Sequence, residues 1–174
     1  MDGRNKFLIS GLWDMHVHLS YARPSALPAF VANGVTGIRD IGSDLAEIDR
    51  GRAQIEENAR VGPVIVRAGP MLNAMELTAT NCWWRMPPRR ARPCERCKSG
   101  RRLHQVSQAN VTRGLLREHI APGKRADLVL LDANPLADIR NTRRINAVVA
   151  RGRLLDRVNL DRLLREAVAQ ANQE

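Results

Sequence analysis

A chain of 174 residues with 44% hydrophobic composition can bury a sizeable core in one or two domains, and its six aromatic residues leave that core to Leu, Ile, Val and Ala. No apolar run approaches the roughly 18 residues of a membrane span, and the N-terminus lacks the apolar stretch of a secretory signal, so the expectation is a cytoplasmic protein with no membrane partner. The net charge of +10 is uneven, because seven of those charges fall within residues 85–102.

In chain order, Phe7-Leu8-Ile9 reads as a short strand leading to Trp13-Asp14-Met15-His16-Val17-His18-Leu19. If this second run is a strand, His16 and His18 project from one face, with Asp14 one step behind them and Met15, Val17 and Leu19 free to pack on the other. Neutral imidazoles so placed can both reach a metal at about 2.0–2.1 Å. By itself His-x-His is a weak signal, since a strand can carry two histidines for unrelated reasons.

Residues 24–34 read as a short helix, with prolines near its start and Gly34 ending it in the left-handed conformation. Val35 to Ile38 forms the next strand. A second helix opens at Ser43 as N-cap with Asp44 and Glu47 in its first turn; its apolar positions Leu45, Ile48, Ile55 and Ala59 leave its end open. Val64 to Gly69, bounded by Gly62-Pro63 and Gly69-Pro70, is a third strand. Strands alternating with helices predict a parallel α/β architecture. Asp40 follows the strand at its C-terminal end. It either orients an imidazole or a neighbouring loop, or it pairs with Arg39 or closes an Asx-turn; spacing leaves both open. Asp14 is equally divided between a weak ligand and a buried, hydrogen-bonded carboxylate.

Between residues 78 and 119 this order is lost. Arg85, Arg89, Arg90, Arg92, Arg96, Lys98, Arg101 and Arg102 face Glu95 alone, among Pro87, Pro88 and Pro93. A nucleic-acid-binding arm would use such charges on phosphates; a solvated, irregular insert explains them more simply and is preferred. Cys82, Cys94 and Cys97 with His104 could in principle make a structural zinc site, but the spacing matches no common module, and free thiols are preferred. His104 and His119 have no apolar strand leading into them. A shifted reading frame or a faulty gene model would account for the segment.

Order returns with a strand over residues 126–132 after the Pro122-Gly123 turn, and a strand pair over 147–155 with a tight hairpin at Arg151-Gly152. From Asn159, the residues Leu160, Leu163, Leu164, Ala167, Val168 and Ala171 specify an amphipathic helix.

Residues 11–19, with Asp14-Met15-His16-Val17-His18, resemble the opening metal-binding strand of the amidohydrolase superfamily, in its imidazolonepropionase-like and peptidase-like metal-dependent branch. Residues 34–40 are similar to that family's second barrel strand, and residues 120–132 to its C-terminal signature. The resemblance implies a partial (β/α) TIM-like barrel, first strands and helices only, over residues 7–77. It also implies remnants of a C-terminal β-sandwich and a helix over 120–174. Ser10 stands where the family carries proline, and the short stretch before Phe7 suggests that one side of the sandwich is missing. A complete barrel needs about 250 residues. The later ligands of the family (a carboxylated lysine, two histidines and an aspartate) have no counterpart in residues 78–119.

The implied chemistry is hydrolysis of an amide or peptide-like C–N bond in a small molecule by water on a divalent metal, zinc by preference. His16 and His18 would be its ligands, with Asp14 and Asp40 as carboxylates behind them. The alternatives are an inactive, truncated remnant that self-associates through open strand edges, and the small basic nucleic-acid-binding module.

Overall fold

The computed structural model describes residues 3–68 and 120–173. The expectations for the basic segment, for Cys82, Cys94, Cys97 and His104, and for His119 lie outside the described residues. What is described is a mixed α/β structure with two sheets and four α-helices. None of these helices is long and apolar enough to cross a membrane.

The first sheet is antiparallel, in the order β1 (Phe7–Ser10), β5 (Leu128–Leu131), β6 (Ile145–Ala150), β7 (Arg153–Asp156). The N-terminal strand thus pairs with the C-terminal half of the chain, Phe7 opposite Leu131 and Ser10 opposite Leu128. The hairpin expected at Arg151-Gly152 is a two-residue turn with φ of 53° and 80°. Positive φ at both positions gives the twist that suits a tight hairpin.

The second sheet is parallel, in the order β2 (Leu12–Val17), β3 (Val35–Asp40), β4 (Val64–Arg67). Gly11 carries the chain from one sheet to the other. Its N–H donates to the Asp127 carbonyl, that of Leu12 donates to the Gly34 carbonyl, and a Cβ at Gly11 would lie 1.9 Å from Thr36 Oγ1. Only glycine lets the chain pass the Thr36 side chain of β3 this closely.

The crossover between β2 and β3 is divided. A single turn, α1 (Leu19–Ala22), precedes α2 (Ala26–Ala32), whereas the sequence suggests one helix. Arg23 interrupts them with φ of 63°, and Gly34, with φ of 79°, ends the connection as expected. The strand β3 runs two residues beyond Ile38 and includes Asp40. Helix α3 (Leu45–Glu56) takes Asp44 as its N-cap, not Ser43: the Asp44 carboxylate accepts from Glu47 N, while the Ser43 hydroxyl is engaged elsewhere. The helix ends before Ala59, which is exposed.

Two cores result. Val17, Leu27, Ile38, Ile48, Ile55 and Ile65 fill the space between the parallel sheet and its helices. Val129, Leu131, Val148 and Leu155 on the antiparallel sheet meet Val31, Ala32, Leu160 and Leu163. Helix α2 serves both, giving Leu27 to the first and Val31 and Ala32 to the second. The C-terminal helix α4 (Arg157–Ala171), capped by Asp156 through Asn159 N at 2.9 Å, lies against α2 and the antiparallel sheet. Its buried stripe is narrower than its apolar pattern: Leu160, Leu163 and Ala167 are buried, whereas Val168 is exposed.

Candidate functional site

In parallel α/β structures chemistry gathers at the C-terminal ends of the strands, where loops rather than ladder hydrogen bonds set the surface. Here β2 and β3 end side by side. His16 is the penultimate residue of β2 and is exposed; His18 follows the strand with extended backbone, φ −120° and ψ 91°. Val17 and Leu19, alternating with the histidines, are buried and anchor this stretch in the first core. The structure therefore brings the two rings together. His16 Nε2 and His18 Nε2 are 3.2 Å apart, with ring planes inclined by 69°. In the neutral pair one nitrogen donates its N–H and the other accepts.

Asp14 is not in phase with that pair. A register shift lets the three steps from Asp14 to Val17 pass the two from Ile38 to Asp40, so regular alternation is broken. The Asp14 carboxylate turns to the main chain, Oδ1 accepting from His16 N at 3.0 Å. It fixes the backbone of a histidine rather than its ring.

Asp40 is fully buried at the end of β3. Oδ2 accepts from Leu19 N at 2.7 Å and from Ser43 Oγ at 2.7 Å, and Oδ1 accepts from Ser43 N at 3.1 Å. The carboxylate holds the loop on both sides, and its bond to Ser43 N spans three residues, one more than an Asx-turn. A pairing with Arg39 is not realised: Arg39 Nε donates to the Met15 carbonyl at 2.9 Å.

Three participants are absent from the sequence reading as site residues. Ser20 Oγ donates to Glu47 Oε2 at 2.9 Å, Ser43 Oγ accepts from Ser20 N at 3.1 Å, and the exposed Tyr21 ring lies edge-on to His18 at 5.8 Å. The Asp-x-x-Ser spacing of Asp40 and Ser43 is the signal the sequence offers for their contact, although Ser43 taken with its following residues reads as an N-cap.

Two imidazole nitrogens that share a tetrahedral ion at about 2.0–2.1 Å lie about 3.3 Å from each other. The separation of 3.2 Å matches that bite. Two nitrogens are nevertheless short of a full ligand set, and among the described residues no group of three or more His, Cys, Asp and Glu side chains could hold an ion.

No protein-family model matches the sequence, and no curated protein matches it. Solved structures do match the fold. A protein of Bifidobacterium longum provisionally assigned as a prolidase superposes with a TM-score of 0.61 at 15% identity, over 97% of this chain and 87% of that one. A prolidase in complex with N-methylphosphonate-L-proline gives 0.58 at 14% identity, over 90% and 88% of the two chains, and an uncharacterized protein gives 0.56 at 15%. The likeness is one of fold.

Proposed function

We propose that the chain carries the opening strands of a metal-dependent hydrolase barrel and that His16 and His18 hold a divalent ion, zinc by ligand preference. The separation of 3.2 Å between their Nε2 atoms is the observation that carries this reading. On the same reading, residues 7–77 derive from the barrel and residues 120–174 from the sheet and helix beside it. A bound zinc ion would supply Lewis acidity and lower the pKa of its water towards 7. The chain's own part is to present two nitrogens on a rigid strand end, with Asp14 holding the His16 backbone.

The substrate class is an amide or peptide-like C–N bond. The neighbour solved with a phosphonate of proline narrows the first choice of substrate to dipeptides ending in proline. Catalytic zinc usually has three protein ligands. Two are present here among the described residues, which favours a second reading in which the metal locus persists without turnover.

Calorimetric titration of zinc into the purified chain, with His16→Ala and His18→Ala beside it, tests the metal reading. One ion per chain, with either substitution abolishing the heat, is expected. Zinc binding unaffected by both substitutions overturns it. Incubation of the zinc-loaded protein with dipeptides ending in proline then separates a hydrolase from an inactive descendant of one.

A further inference from the structure

His18 occupies the N-cap position of α1 but makes no side-chain capping hydrogen bond. The N–H groups of Leu19 and Ser20 have no carbonyl within the turn to receive them, as at the start of any helix. Both are satisfied from another element: Leu19 N donates to Asp40 Oδ2 at 2.7 Å and Ser20 N to Ser43 Oγ at 3.1 Å. Ser43 is itself bound to Asp40 through both its N–H and its hydroxyl. Ser20 Oγ closes the network by accepting from Asp44 N at 3.0 Å.

The end of β3 also grips the other non-histidine residues of the motif. Arg39 Nε donates to the Met15 carbonyl at 2.9 Å, and Ile41 N donates to the Val17 carbonyl at 2.9 Å. Met15, Val17 and Leu19 are therefore held one after another by Arg39, Ile41 and Asp40. The His16 and His18 rings alternate with them and face each other, with Tyr21 edge-on to His18.

We propose that Asp40 and Ser43 are positioning residues for the histidine pair. Ser43 performs for α1 the capping of Ser20 N that a Ser or Asp at position 18 would otherwise supply from its own side chain, and Asp40 takes the N–H of Leu19 before it. This releases the His18 imidazole to face His16, so that one residue can start a helix and still present its ring. Without the carboxylate and hydroxyl, the turn after His18 loses its anchor and the two rings lose their fixed separation.

The test uses the full chain as Ser43→Ala and Asp40→Asn, with thermal unfolding to establish which variants fold. Nitrogen-15 NMR of the metal-free imidazoles reads the hydrogen bond between the rings directly, and a zinc titration reads affinity. In folded Ser43→Ala the inter-imidazole signature is expected to disappear and zinc affinity to fall about 10–100-fold, the usual cost of losing an orienting partner. The zinc arm rests on the metal reading above; the NMR arm does not. Loss of the signature in a variant, from a chain that binds no zinc, sustains the positioning role and removes the metal. An intact signature and unchanged zinc affinity in folded Ser43→Ala overturns the positioning role and leaves the metal.

Discussion

Asp127 accepts a hydrogen bond from the Arg151 main-chain nitrogen at 2.6 Å through Oδ1, while its own carbonyl accepts from Gly11 N at 2.9 Å. One buried residue thereby holds both the hairpin between β6 and β7 and the point where the chain passes from the antiparallel to the parallel sheet. Arg125 pairs with the second carboxylate oxygen. Asp127→Ala removes the carboxylate that holds Arg151 N and Arg125 while leaving the main-chain acceptor of Gly11, and is expected to lower stability by about 1–3 kcal/mol, measured by urea unfolding. Zinc affinity at the distant strand ends should be unchanged, and a parallel loss there would mean that the two regions are coupled.

A close approach at β3 gives a second stability test. A Cβ at Gly37 would lie 2.2 Å from the indole of Trp13, its register partner on β2. Gly37→Ala must push the ring aside and is expected to cost about 1–3 kcal/mol. In a Trp13→Ala background the same change should cost much less, because the clash has gone. A double-mutant cycle measures the difference, and additive losses would show that the ring yields freely.

Much of this architecture was legible because its signals are local. The β-branched run at Val64, the Arg151-Gly152 hairpin and the spacing of Leu160, Leu163 and Ala167 are patterns that a few residues complete by themselves. The i, i+2 spacing of His16 and His18 is a local signal of the same kind and suggests rings on one side, although what anchors the turn after His18 comes from the end of β3 and beyond. What escaped was relational. Ser43 resembles an N-cap from the residues that follow it, yet its hydroxyl goes to Asp40 three residues back and to Ser20 from across the site, and Asp44 takes over the cap. The bulge that moves Asp14 out of phase depends on the register with β3, which no residue of β2 announces. Division of the first crossover likewise depends on Arg23, a residue with no special liking for positive φ.

The antiparallel sheet should also confer a pH dependence. Lys6 hydrogen-bonds and pairs with Asp132, Asn146 adds a further hydrogen bond, and these hold the Asp132 carboxyl below its ordinary value of 3.8. Asp156 is lowered as well, by the hydrogen bonds from Asn159 at the start of α4. A carboxylate with a depressed folded-state pKa stabilises the fold fully above its unfolded value. That contribution is lost as pH falls through the folded one. Unfolding free energy should therefore decline from about pH 5 downwards. In Asp132→Asn the decline should be shallower; an identical slope in both proteins would show that the Lys6 contact is too solvated to matter.

The two cores share α2, and this makes their cooperativity measurable. Leu160 is fully buried where α4 meets α2 and the antiparallel sheet. Leu160→Ala leaves a cavity there and is expected to cost about 2–5 kcal/mol. Because α2 supplies Leu27 to the parallel-sheet core from the same seven residues, weakening one side should weaken the other. Thermal unfolding followed by far-ultraviolet circular dichroism and by amide exchange at Ile38 and Ile48 should shift by the same amount in one transition. If Ile38 and Ile48 keep their protection while α4 melts, α2 does not transmit the loss and the two halves fold as separate units.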